Sequence, residues 1–280
     1  MRLQFQRFMS IWSVFYLISQ CFILWAGFTE SSIRPSGHPF AAEKAIVERP
    51  LDSTTKYVYL SFDDGPLFGT SSCISICEDE KVKATFFQIG LHQSRSNWGR
   101  KLYNRILSRP ELFLLSNHSF SHTYGKYVKF YNQPDSALAD FVQAATVLKT
   151  TNNIVRLPGN NGWHTDSVRF SSKMVRPLIK KLDSAGFNVV GWDLEWNYTR
   201  NGRPIQTATF MATMVDSMFA LKAYKTKNHL VVLMHDHMFK NEADSVQLLQ
   251  FIQLLKYGNK YQFARLDQYP GLKKQRINNY

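Results

Sequence analysis

A chain of 280 residues, 44% hydrophobic and only 20% charged, is too apolar to be disordered and long enough for one large domain or two small ones. Its 34 Lys and Arg against 21 Asp and Glu leave a net charge of +13, which favours anionic partners such as a wall polymer or a membrane surface and says nothing about fold. Three cysteines exclude a disulfide scaffold.

Arg2 and Arg7 precede an apolar run from about Phe8 to Phe28. A secretory core is usually about 7–15 residues and a spanning helix about 17–25, so the run suits a membrane anchor better than a cleaved signal. No small-residue cleavage site follows it, since Trp25 and Phe28 are bulky. The positive-inside rule then exports everything after residue 28, to the periplasm or the cell exterior. Residues 29–55, with Pro35, Gly37, Pro39 and Pro50, read as a linker or an irregular wrap.

From Lys56 onward, short β-branched or aromatic runs alternate with longer stretches of helical spacing. The pattern predicts strands over 57–62, 84–89, 112–116, 154–157, 187–193, 230–234 and 262–266. Between them it predicts helices over 70–81, 98–108, 134–149, 175–185, 207–225 and 241–256. Such alternation implies an α/β fold with a mostly parallel sheet, as an incomplete barrel or, alternatively, an open doubly wound sheet. A domain over 56–270 and a basic tail over 271–280 complete the organisation.

In a parallel sheet the reactive residues gather where strands end. The first predicted strand ends in Asp63-Asp64-Gly65-Pro66, whose adjacent carboxylates alternate in direction and suit two different jobs; alone, they read as a turn. After the third strand, His118 and His122 stand four apart, a spacing that zinc sites use on one face of a helical turn. The later strand ends carry Arg156-Leu157-Pro158-Gly159, Trp192-Asp193-Leu194-Glu195-Trp196 and Leu233-Met234-His235. Acids, histidines, an arginine and aromatics thus share one rim.

That order of motifs, with Ala84-Thr85-Phe86-Phe87 after the first helix, resembles the polysaccharide deacetylase family (the NodB homology domain, carbohydrate esterase family 4) over roughly 56–270. The resemblance implies a distorted (β/α) barrel of about seven parallel strands and a divalent metal. Zinc is usual, though imidazole and carboxylate also accept Co2+ or Ni2+. By the same match Asp64, His118 and His122 are the metal ligands and Asp63 the general base, with Arg156 in contact with it. Three protein ligands leave a position open for water, whose pKa zinc lowers to about 7. His235 is the expected proton donor to the departing amine, supported by Asp193 or Glu195, with Asp193 preferred.

The chain departs from the family twice. Its third motif has Leu157 in place of the first proline and Gly159 in place of the aromatic, so Gly159 is expected to border the groove and Trp163 to replace the missing ring. Its fourth motif reads Trp192-Asp193-Leu194-Glu195-Trp196 where the family has Asp-x-x-Asp-Trp, and Trp196 is expected beside the acetyl methyl. Cys73 and Cys77 are expected to fill core.

The expected activity is therefore metal-dependent removal of N-acetyl groups from an exported N-acetylated polysaccharide, peptidoglycan ahead of chitooligosaccharide or poly-N-acetylglucosamine. An inactive glycan-binding barrel is the alternative. A glycoside hydrolase fits poorly, because adjacent carboxylates cannot flank a sugar at about 5–9.5 Å. Nucleic-acid binding has charge alone in its favour and is not expected.

Overall fold

The computed structural model describes residues 51–274; the expected anchor at 1–28, most of the linker and the last six residues lie outside the described residues. In chain order the elements are β1 (Tyr57–Gly65), α1 (Thr70–Asp79), β2 (Ala84–Gln88), α2 (Gly90–Arg95), α3 (Asn97–Leu107), β3 (Phe113–Asn117), α4 (Tyr127–Tyr131) and α5 (Pro134–Leu148). There follow β4 (Ile154–Val155), β5 (Trp163–His164), β6 (Arg169–Phe170), α6 (Arg176–Ser184), β7 (Asn188–Val189), β8 (Leu194–Glu195), α7 (Ala208–Ala220), β9 (His229–His235), α8 (Glu242–Lys256) and β10 (Gln262–Phe263).

The helices begin where local chemistry starts them. Ser96 accepts the Gly99 N–H ahead of α3, Thr207 accepts the Phe210 N–H ahead of α7, and α5 opens on Pro134, whose missing N–H is no loss in a first turn. The α7 helix stops five residues before its expected end, where Lys222 turns left-handed at φ 55°.

The strands form one curled sheet in the order β6-β5-β7-β4-β3-β2-β1-β9-β8, with β10 also on β1. All pairs are parallel except β5–β6 and β5–β7, a small hairpin that the sequence pattern did not predict. The barrel is incomplete: among the described residues β6 and β8 end the sheet unpaired with each other.

Strand alternation sorts the side chains into two layers. Val58, Leu60 and Phe62 face out toward the helices with Phe86, Leu115 and Val232. Tyr57, Tyr59, Phe87, Leu114, Ile154, Val190 and Val231 face in and pack with Trp163 and Tyr269. No α-helix contributes to that inner layer, which separates a barrel from the doubly wound alternative. Cys73 and Cys77 are buried on α1 in the outer layer, where desolvation pushes both thiols up, and they act as core apolar groups.

Candidate metal centre and its surroundings

On the inward face of β1, Ser61 and Asp63 continue the row of Tyr57 and Tyr59. The next residue breaks the alternation. Asp64 has φ 76°, and the pairing of β1 with β2 shifts register between Phe62 and Gly65. This bulge swings the Asp64 carboxylate back to the rim that Asp63 reaches, so the two neighbouring acids meet the same histidine, contrary to the opposed directions expected of a regular strand.

The two histidines come from the loop after β3. It is tied down by Asn117, whose side-chain oxygen accepts the Ser119 N–H at 2.8 Å, and by Asp140, which accepts the N–H groups of Phe120 and Ser121 at 2.7 and 3.2 Å. Ser119 (φ 72°) and His122 (φ 48°) are left-handed, a strained geometry for residues with side chains. The loop therefore folds back on itself, and this places the rings 5.1 Å apart without the regular helical turn that the spacing suggested.

Asp64, His118 and His122 offer ligand atoms within 4.8 Å of one another. Asp64 Oδ1 lies 3.4 Å from His118 Nε2 and 3.1 Å from His122 Nε2. Burial pushes the Asp64 carboxyl upward, but the two imidazoles outweigh it and hold the group well below the usual carboxylate range. His118 Nδ1 lies 3.0 Å from the Arg156 carbonyl, which only accepts, so that nitrogen carries the proton. In the neutral ring Nε2 then presents a lone pair to a carboxylate oxygen that is buried without a hydrogen bond of its own. Acceptors facing one another in a buried cleft call for a cation. Imidazole and carboxylate donors in this number fit a divalent transition metal, with the His118–carbonyl bond fixing the ligand tautomer.

Behind the cluster Arg156 is fully buried. Its Nη1 donates to Asp63 Oδ1 at 2.9 Å and to Ser61 Oγ at 2.8 Å, Nη2 to the Gly191 carbonyl at 2.8 Å, and Nε to the Val190 carbonyl at 3.2 Å. The guanidinium also lies 4.1 Å over the Phe87 ring. Asp63 Oδ2 is left facing His118 Nε2 at 3.7 Å. His235, at the end of β9, approaches from the other side, its Nε2 4.0 Å from Asp64 Oδ2.

Three expected roles are not met. Asp193 does not support His235: its carboxylate accepts the N–H groups of Lys225 and Val231, both at 2.9 Å. Val231 precedes His235 by four residues, about 13 Å along an extended strand. Asp193 instead holds the entry of β9 beside the open side of the sheet, where Lys225 also lies 5.0 Å over Phe170 of β6. Glu195 pairs with Leu233 and lies nearer the right end, yet His235 Nδ1 is buried without a hydrogen-bond partner. Trp196 is no pocket wall. It is fully buried in the outer layer against Phe239 and Phe251, because it points away from the barrel interior. Trp163, 1% exposed, packs on Tyr269 in the inner layer and does not reach the groove.

The aromatic walls are residues that spacing did not reveal. Tyr127, at the start of α4, stands edge-on to His122 with centroids 5.9 Å apart. Gly159 (φ 61°) lies beneath it: a Cβ there would meet the Tyr127 ring at 2.8 Å, so the glycine borders the rim and admits the ring. Tyr198 packs edge-on to both His235 and His237, at 4.8 and 4.6 Å. A third unforeseen contact is His92 of α2, whose Nδ1 donates to the Asp64 carbonyl at 2.8 Å.

A curled, largely parallel α/β barrel with two acids, two histidines and a buried arginine at its strand ends forms a candidate hydrolytic site, and known proteins resemble it. Residues 51–168 match the family model for polysaccharide deacetylase. It is 28% identical over 190 residues to YheN of Bacillus subtilis, provisionally named a polysaccharide deacetylase, covering 65% of this chain and 58% of that protein. It is 27% identical over 187 residues to the peptidoglycan-N-acetylglucosamine deacetylase of Bacillus cereus, covering 65% and 60% of the two chains. It thus spans little more than half the length of either relative. The fold is shared with the catalytic domain of a peptidoglycan N-acetylglucosamine deacetylase from Eubacterium rectale, with a TM-score of 0.57, 24% identity, and coverage of 83% of this chain and 99% of that one.

Proposed function

We propose that this chain is a metal-dependent hydrolase that removes N-acetyl groups from amino-sugar residues of a polysaccharide, peptidoglycan in the first place. The observation that carries the reading is the convergence of Asp64, His118 and His122 within 4.8 Å, with the Arg156–Asp63 pair behind them and His235 opposite. Peptidoglycan is favoured by the net charge of +13 and by the named activity of the Bacillus cereus relative.

Asp64, His118 and His122 would hold the ion; zinc suits the donor set, and cobalt or nickel would also be accepted. The chemistry such an ion supplies when bound is Lewis acidity toward a carbonyl and acidification of water. Asp63 accepts the proton of the attacking water through the oxygen that faces His118, while its other oxygen stays on Arg156. His235 gives a proton to the departing amine from across the cleft. Tyr127 and Tyr198, about a third exposed at 36% and 39%, flank the cleft and shield it from bulk water. The catalytic domain runs over 56–270, and the apolar segment 1–28 exports it and tethers it to the membrane.

The test is acetate release by the full-length chain from peptidoglycan, chitooligosaccharides and poly-N-acetylglucosamine, with and without chelator. Chelator-sensitive acetate, greatest from peptidoglycan, is expected. Acetate that survives chelation, or none from any polymer, overturns the reading.

A further inference from the structure

On the rim beside the metal cluster, Phe68 and Trp98 stand in contact and in water, 78% and 38% exposed, their ring centroids 5.3 Å apart and their planes inclined by 37°. Two large rings held together in solvent form a small apolar platform that no part of the described chain covers.

Both rings are fixed to the site. Phe68 follows Asp64 by four residues, which places their Cα atoms at most about 14 Å apart. Its loop is pinned where the Leu67 N–H donates to Thr70 Oγ1 at 2.7 Å and the Thr70 N–H returns to the Leu67 carbonyl at 3.0 Å. Trp98 opens α3 under the Ser96 cap. The next residue, Gly99, packs so tightly that a Cβ there would meet the His92 carbonyl at 2.8 Å and Pro66 at 3.5 Å. His92 in turn holds the Asp64 carbonyl. The platform and the metal cluster are therefore two ends of one rigid assembly, and an occupant that spans them meets pre-ordered surfaces.

We propose that Phe68 and Trp98 form an accessory sugar-binding subsite, against which a pyranose ring of the same polymer packs while a neighbouring residue of that polymer lies at Asp64 and His122. The proposal rests on the reading given under Proposed function. A pyranose presents a face of C–H bonds edged by hydroxyls. That face matches an apolar platform, and the indole N–H of Trp98 can meet a hydroxyl at its edge. A second copy of this chain would also cover apolar rings, but only a sugar polymer is already required at the adjoining cleft.

The deciding experiment is calorimetric titration of an N-acetylglucosamine hexamer into the full-length Asp63→Asn chain, which holds the ligand without turnover, with and without the added pair Phe68→Ala and Trp98→Ala. Loss of the rings is expected to weaken the hexamer roughly tenfold. Trp98→Phe, which keeps a ring, is expected to restore most of the affinity. Equal affinity with and without the rings, or no binding of the hexamer by the parent chain, overturns the subsite. A change in sedimentation on removing the rings, with hexamer affinity unaltered, would assign the pair to contact between copies and also overturn it. Acetate release by the native chain is scored separately: an active enzyme with ring-independent binding fails the subsite alone, whereas absent acetate fails the deacetylase reading.

Discussion

Arg156 meets Asp63 at 2.9 Å with its whole side chain out of water, and the nitrogen that makes this bond also donates to Ser61. One guanidinium thereby joins β1 to the carbonyls of Val190 and Gly191 on the far side of the barrel interior. Arg156→Ala strands Asp63 as a buried charge without its partner, and removal of one member of such a pair typically costs about 3–5 kcal/mol. Arg156→Lys keeps the charge but not the fork, so it is expected to recover only part of that loss. Urea unfolding of the two variants against the native chain checks the order.

Asp236 supplies a pH dependence. It is wholly buried beside Thr70, and burial pushes its carboxyl up to about 8. The folded chain thus keeps a proton that the unfolded chain loses near pH 4. A raised pKa of this kind leaves stability intact below about pH 4, erodes it as pH climbs toward 8, and adds no further loss above that. Asp236→Asn, which is neutral throughout, should flatten the melting temperature between pH 4 and 8, with its largest gain over the native chain near pH 8. Calorimetric scans at several pH values read this directly.

Trp196 separates packing from binding. Lodged between Phe239 and Phe251, it should cost about 3–5 kcal/mol of stability when cut to alanine. At temperatures where the variant remains folded, its KM for polymer should match the native value. A raised KM with normal stability would return Trp196 to the groove.

His235→Ala should lower acetate turnover by about 10²–10⁴-fold, the usual worth of a positioned acid or base. Because it stands 4.0 Å from Asp64 Oδ2 and lies outside the convergent triplet, metal content should be unchanged. Turnover and bound metal measured on the same preparation separate a proton donor from a ligand.

Much of this architecture can be read from the chain. The strands β1, β2, β3 and β9 are long enough to show their runs of β-branched and aromatic residues, and the six long helices fall close to their expected spans. The β5–β6 hairpin escapes because two-residue strands carry no period, and α2 and α4 because one or two turns carry hardly more. At the site, the motif order points to Asp63, Asp64, His118, His122, Arg156 and His235, and the fold gathers all six. What spacing cannot supply is direction. Asp64 turns back through a bulge, Trp196 faces outward by strand parity, and Asp193 serves the entry of β9 rather than its end. Tyr127 and Tyr198 join the rim from loop-linked segments whose sequence distance from the histidines implies nothing about contact.

The most direct test of the metal centre is to measure bound divalent metal and acetate release together in the native chain and in His118→Ala. The account predicts about one ion per native chain and chelator-sensitive acetate, with both lost in the variant. A variant that retains the ion, or a native chain that releases acetate without one, would contradict it.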